Sequence, residues 1–332
     1  MHGNGNDFIF IEAQYYSKKF FTITQIQKMC HRQFGIGADG IVFYDFGEEN
    51  SKDFLHHSRS KLTSYKSASD EAAQARVDAM DALVHEETES QRQRSIRPIY
   101  KKLSMLILNS DGSEATTCGN ALRCLGLLAW KQKFWDGSSE MPVYPLKTTK
   151  TKPNYEEAFA KLISLKNDFV FVDMGKQKNI FEVNFNVIQK NLSKEFQNDF
   201  EMFTCCYFVE LANPHVVFIL NQKYPNEKFS VLGKYLQELL PQIDNRIPIS
   251  NISFLVKNEN NFSIQVYERG AGVTYCCGSA SVACAIVLNY LGHENKFMFE
   301  MLGGKLTVEN KMNVWCMGGP AELVFRGKCH TR

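Results

Sequence analysis

Apolar positions along the 332 residues change their period several times, and the changes divide the chain. From Thr22 to Gln33, the residues Ile23, Ile26, Met29 and Cys30 fall on one helical face, and the glycine-rich GIGADG that follows stops the helix. A strand is predicted at Ile41 to Tyr44. From Gly47 to about Lys102 large apolar residues thin out in favour of Ser, Gln, His and mixed charge, which reads as a flexible insertion. At its centre, DEAAQARVDAMDALVHEE predicts one solvated helix, capped by Ser69 and carrying only a thin stripe of Ala73, Val77, Met80 and Val84.

Beyond the insertion the pattern predicts a strand at Leu103 to Leu108, a polar loop at Asn109 to Thr117, and a helix from Gly119 to about Lys131. The second half repeats the order. A strand at Phe262 to Tyr267 leads through ERGAGVTYC into a helix from Gly278 to about Leu291. Sliding the chain on itself by 159 residues superposes Cys118 on Cys277 and Gly119 on Gly278, a faint internal repeat. A short amphipathic helix at Val231 to Leu240, strands around Val170, Val216 and Phe254, and a terminal strand at Glu322 to Phe325 complete a mixed α/β pattern. Two related lobes are expected, 1–162 with the insertion at 47–102 and 163–317, with 318–332 returning as a strand to the first. Facing lobes would bring one cysteine from each to a shared cleft.

Composition narrows the partners. With 38 Lys and Arg against 36 Asp and Glu, the net charge of +2 gives no basis for a nucleic-acid groove or a basic membrane surface, so the ligand is expected to be small. No run approaches the ~20 apolar residues of a membrane-spanning helix. Ten cysteines without a secretory signal read as reduced thiols, and the expected compartment is the cytoplasm. The abrupt start at MHGNGNDF leaves a plastid or other organelle open.

Cys118 and Cys277 share one setting, the end of a Gly/Ser/Thr-rich loop directly before a glycine that opens an apolar helix. Helix-start amides and the helix dipole stabilise a thiolate there and also offer donors to a substrate carboxylate. An arbitrary cysteine is roughly nine times in ten a buried structural thiol; the duplicated context is what separates these two. Cys30, Cys124, Cys205, Cys206, Cys284, Cys316 and Cys329 lack it. GIGADG fits a dinucleotide-binding pattern literally, but a helix precedes it where that turn needs a strand. No CxxC pair supports a zinc site, and adjacent thiols are poor chelators.

HGNGNDFIFIE, NSDGSEATTCGNALRC, NPHVVF, YERGAGVTYCCGS and GGPAELVF resemble, in order, the signatures of the diaminopimelate epimerases, and they span nearly the whole chain apart from the insertion. The resemblance implies an α/β (α+β) fold of two pseudo-symmetric lobes. Each lobe would be a mixed, mostly antiparallel sheet wrapped around a central helix, with the active site between them. It implies no pyridoxal phosphate, no metal and no other cofactor. It implies an isomerase that interconverts LL- and meso-2,6-diaminopimelate, a precursor of lysine and peptidoglycan, with Cys118 and Cys277 as the acid/base pair.

By the same motifs Asn6, Asn109, Asn213, Asn251, Glu268 and Arg269 are substrate-binding positions. Gly119, Asn120, Gly278 and Ser279 would surround the reacting carboxylate, and His215 and Glu268 would tune the thiols. The residue types suit a diamino dicarboxylic acid, which needs an Arg for a carboxylate, a Glu for an ammonium and amides between. Asparagines in loops more often cap turns, and a lone histidine is more often a core residue; motif context sets these apart. Asp7 reads as a loop-orienting residue. The chain departs from the family pattern at Ala121 and Ala280, which replace the second glycine of each CGxG turn, and at Gly40, where some members carry Gln. Diaminopimelate is the expected partner, with no nucleic acid and no membrane, and a homodimer is allowed. The alternatives are another pyridoxal-independent racemase or isomerase of this fold, and a degenerate homologue that binds an amino acid without turning it over.

Overall fold

The computed structural model describes residues 1–13, 21–49, 100–115, 117–146, 158–166 and 169–328. Met1–Asp45 with Leu103–Arg332 make one unit, and Phe46–Lys102 a second. The helix expected within the insertion lies outside the described residues.

The first half runs β1 (His2–Gly3), β2 (Asn6–Glu12), α1 (Ile23–Cys30), β3 (Gly40–Glu49), β4 (Tyr100–Asn109), β5 (Glu114–Ala115), α2 (Gly119–Lys131), β6 (Met141–Pro145), β7 (Ala160–Lys166) and β8 (Phe169–Asp173). Helix α1 begins where its capping signal lies. The Thr22 side chain accepts from the Gln25 amide, and the Gln25 side chain accepts in return from the Thr22 amide.

The second half runs β9 (Asn179–Glu182), α3 (Phe185–Asn191), α4 (Lys194–Gln197), β10 (Phe203–Glu210), β11 (Pro214–Leu220), α5 (Asn226–Ile243) and β12 (Asn251–Lys257). It continues through β13 (Phe262–Glu268), β14 (Gly272–Val273), α6 (Gly278–Tyr290), β15 (Lys296–Met301), β16 (Gly304–Lys311) and β17 (Val314–Pro320).

The two halves use one strand plan. Strands β2 and β3 are parallel, β4 is parallel to β6, and β6, β7 and β8 follow antiparallel. In the second half β11 and β12 are parallel, β13 is parallel to β15, and β15, β16 and β17 follow antiparallel. The register repeats as well: Leu108 pairs with Glu114 as Tyr267 pairs with Val273, 159 residues on at both partners. After the helices the offset shortens to 156, from Val143 opposite Leu103 to Phe299 opposite Phe262. Antiparallel pairing of β8 with β17 joins the halves.

Each half encloses one helix. Residues Ala280 to Leu288 of α6 are all buried, and α2 buries ten of its thirteen residues. A helix apolar on every side must be covered all round, and strands supply that cover, β1, β2, β7, β8 and β17 around α2 and β10 to β12 with β15 to β17 around α6. Beside this layer, Phe203, Phe218 and Phe254 pack edge to face with one another, and Phe229 of α5 packs edge to face on Phe254.

Two of the predicted elements differ from their expected form. Helix α5 extends beyond Val231–Leu240 at both ends and accommodates Pro241 in its last turn. Of the terminal strand expected at Glu322 to Phe325, a single bridge between His2 and Glu322 forms. Val324 and Phe325 are exposed, so no buried face specifies strand pairing there.

Candidate active site

Cys118 and Cys277 occupy equivalent N-cap positions, with extended backbone at φ −141°, ψ 111° and φ −126°, ψ 112°, each opening a helix of 13 residues. The two helix starts abut. The Asn120 side-chain amide donates to the Cys276 carbonyl at 3.1 Å, tying one turn to the other. Gly119 and Gly278 leave room for this approach with Met317 in place. A methyl group on Gly119 would lie 2.5 Å from the Met317 methyl, and one on Gly278 would lie 2.7 Å from the same methyl and 3.9 Å from Gly119 Cα. Neither sulfur makes a full capping bond, but the first-turn amides of Asn120 and Ala121 act on Cys118, and that of Ala280 on Cys277, as anion donors. Ala121 and Ala280 are fully buried in these turns and leave them helical.

Around Cys118, Sγ lies 3.7 Å from Asn6 Oδ1, which also accepts from Asn120 Nδ2 at 3.0 Å. The other end of the Asn6 amide donates to Asp39 Oδ2 at 2.6 Å. A carboxylate can only accept, so Asp39 fixes which end of Asn6 faces the sulfur. Asp39 and Asp7 both bind Arg32, Asp7 through two bonds. Burial acts to raise Asp7, but the Arg32 guanidinium outweighs it and holds the carboxyl below its usual value. Asn120 Oδ1 is buried and has no hydrogen-bond partner among the described residues, which makes it a free acceptor beside the thiol.

Around Cys277, Sγ donates to Glu268 Oε2 at 3.2 Å and lies 3.3 Å from Ser279 Oγ. Thr274 donates to the other oxygen of Glu268. Ser279 Oγ lies 3.0 Å from His215 Nε2, and Asn251 Nδ2 lies 3.5 Å from the same nitrogen. Strand register places His215 directly opposite Asn251, and Asn251 Oδ1 accepts from the Arg269 backbone amide at 2.8 Å. Burial pushes the His215 imidazole down to about 3, so the ring is neutral at ordinary pH.

Both thiols are shifted upward, unequally. Burial raises Cys118; the Ala121 and Asn120 amides draw it back, Glu268 pushes it up and Arg123 pulls it down. Burial, followed by the negative charge of Glu268, raises Cys277 well above the usual thiol value. Burial also raises Glu268, against its hydrogen bonds from Thr274 and Cys277. The repeat offset sets Glu268 of the second half at the place of Asn109 in the first.

Most of the sequence-derived residues therefore converge on the two thiols: Asn6 and Asn120 at Cys118, and Glu268, Ser279, His215 and Asn251 at Cys277. Others stand further out. The Asn109 side chain donates to Ser113 Oγ at 2.9 Å and closes an exposed turn. Asn213 lies on the turn before β11, two residues ahead of His215. Arg269 joins the network through its backbone amide and carries an exposed side chain.

Sequence reading missed Asp39, Thr274, Met317 and Arg123. Asp39 sits within GIGADG and Arg123 within CGNALRC, but their partners come from segments far along the chain. Two surface cavities, of about 450 and 690 Å³, lie elsewhere in the second half, and neither is lined by Cys118 or Cys277.

A family model described as diaminopimelate epimerase matches residues 1–140 and 207–324. The chain is 29% identical to a diaminopimelate epimerase of Clostridium perfringens, over 98% of this chain and 97% of that protein. It is 26% identical to one of Natranaerobius thermophilus, over 100% and 97% respectively. Among solved structures, a phenazine biosynthesis protein of the PhzF family from Bacillus anthracis superposes with a TM-score of 0.55 at 10% identity, covering 96% of this chain and 92% of that one, a likeness of fold.

Proposed function

The chain belongs to the diaminopimelate epimerase family, and from that premise we propose that it interconverts LL- and meso-2,6-diaminopimelate, with Cys118 and Cys277 working on opposite faces of one α-carbon. The observation that carries this reading is the pair of thiols at matched helix starts that touch each other. A carboxylate seated between the two starts would receive amide donors from both helices, including those of Gly119, Asn120, Gly278 and Ser279. Its α-carbon would then lie between the sulfurs.

One thiolate removes the α-proton while the opposite thiol delivers another, and the roles exchange in the reverse direction. The charge that develops on the carboxylate is stabilised by fixed amide dipoles in a site closed to water. Glu268, beside Cys277, accepts a hydrogen bond from that thiol and offers a negative charge to the substrate ammonium. Asn6 holds its carbonyl end toward Cys118 because Asp39 occupies the amide end. Asn109, Asn213, Asn251 and Arg269 reach the rest of the substrate, Arg269 matching the distal carboxylate. The two lobes must part to admit substrate, because Cys277 is buried and Cys118 is only partly open.

Deuterium incorporation tests the mechanism. In D2O, starting from LL-diaminopimelate, label is expected in the meso product before it enters the remaining substrate, because the proton removed and the proton delivered belong to different sulfurs. Equal labelling of both from the earliest times would exclude the opposed pair. Absence of any exchange with diaminopimelate would exclude the substrate.

A further inference from the structure

Arg123 lies on α2 one turn behind Cys118 and is completely buried. Its Nη2 donates to Asn4 Oδ1 at 2.7 Å, its Nε to the Pro320 carbonyl at 3.3 Å, and its Nη1 approaches Met317 Sδ at 2.9 Å. The Cys276 thiol is a fourth hydrogen-bonding neighbour. All four are neutral, and Arg123 forms no ion pair with a carboxylate among the described residues. A guanidinium does not shed its proton in a protein, and a buried cation without a counter-charge is less stable than an apolar side chain of similar volume. The charge therefore needs an explanation beyond packing. The negative charge nearest at hand is the one the reaction creates, at the helix starts.

We propose that Arg123 is a positioning residue that supplies the counter-charge of the two-thiol centre: its guanidinium stabilises negative charge at the abutting helix starts and holds Met317 as the wedge between them. The inference rests on the functional reading above. Met317 connects the two roles, since its methyl packs against both Gly119 and Gly278 while its sulfur meets the guanidinium. The electrostatics agree in direction. Arg123 pulls down both Cys118 and Cys276 against the burial that raises them, and Cys276 remains at about 11. The ionisable groups that face Cys118 are Glu268 from β13, Arg123 and Cys124 from its own helix, and Cys276 ahead of α6. Those facing Arg123 are Cys276, Cys124 and Cys118.

The decisive variant is Asn4→Asp, which would set a carboxylate where an amide oxygen now lies 2.7 Å from the guanidinium. Asn4 has φ 55°, a conformation Asp also tolerates. With Cys118 identified by peptide mapping, the pH midpoint of its alkylation by iodoacetamide is expected to rise by about one unit, since the cation is now neutralised. α-Proton exchange of LL-diaminopimelate into D2O is expected to fall about tenfold. Thermal stability is expected to hold or rise.

A purely structural Arg123 predicts the same gain in stability with the midpoint and the exchange rate unchanged, and that result would overturn the proposal. Asn4 Nδ2 also donates to the Lys305 carbonyl at 3.3 Å, a bond the Asp side chain cannot make, so if Asn4→Asp does not fold the decision passes to substitutions of Arg123 itself. Arg123→Lys is expected to keep the Cys118 midpoint and Arg123→Gln to raise it; equal midpoints in the two would likewise overturn it. Alkylation needs no turnover, so a wild-type protein that fails to epimerise diaminopimelate would remove the functional reading and still leave the charge assignment to be decided by the midpoints.

Discussion

Cys118 and Cys277 differ from the other cysteines in local setting, and the repeat made that setting legible: both end a Gly/Ser/Thr-rich loop and precede a glycine that opens an apolar helix. Their partners were legible only in part. Asn6, Glu268 and His215 lie in recognisable motifs, whereas the action of Asp39 on Asn6 depends on a contact across 33 residues that no local pattern encodes. If the thiols are acid and base, Cys118→Ala and Cys277→Ala should each lower epimerisation about a thousandfold or more. A variant of either with full turnover, measured on purified protein, would refute the pairing. Glu268→Gln removes the charge that helps raise Cys277. The pH midpoint for alkylation of Cys277 should therefore move downward, whereas a midpoint that stays or rises would show that Glu268 does not govern this thiol.

Helices α2 and α6 were legible almost to the residue because each has a glycine at its start and a continuous apolar stretch after it. Strands β6, β7 and β9 were not, because five to seven residues or fewer with mixed burial carry little periodic signal before their neighbours are known. The terminal segment shows the reverse error, with an apolar pattern that no partner strand meets. What makes the two helices a site is their separation, set by two glycines and one methionine. Gly119→Ala would drive a methyl to 2.5 Å from the end of the Met317 side chain, which can move. The expected outcome is a folded protein destabilised by roughly 1–3 kcal/mol and a disproportionate loss of turnover, since the helix starts are forced apart. Met317→Ala in the same chain should restore part of the stability. Denaturant melts of the four proteins in this cycle measure the coupling, expected at about 0.5–3 kcal/mol, and strict additivity would show that the wedge is not shared.

For the whole molecule, the second half is a guide to the first. Strand β12 passes to β13 through four residues, 258–261, whereas β3 and β4 are separated by 50 residues, 50–99. These strands of the first half are close in space: a methyl on Gly40 would meet the Leu108 carbonyl, and the Ser110 amide donates to the Asp39 carbonyl at 3.0 Å. Replacing residues 51–98 with a short Gly/Ser linker should accordingly leave melting temperature and turnover nearly unchanged, because loop closure depends only weakly on length; loss of folding would show that the segment supports the core. Stability should also depend on acid. The buried His215 titrates near 3, against an ordinary 6.5, so the unfolded chain binds the extra proton between those values. Stability is then full above about 6.5 and declines as pH falls toward 3, by at most about 1.4 kcal/mol per unit from this residue. Urea midpoints between pH 4 and 7 should show the slope, and His215→Gln should flatten it. Finally, a carboxylate attends Cys277 while an amide, Asn109, holds the matching place in the other half. If the two thiols are the acid and base, each turnover leaves the free enzyme in one of two unlike protonation forms, and only one of them can accept the same epimer again. Resetting requires protons from solvent, in a place built to keep solvent out. The consequence to expect is a brief memory of the product last released, and at high substrate concentration an exchange between the two forms that enters the rate.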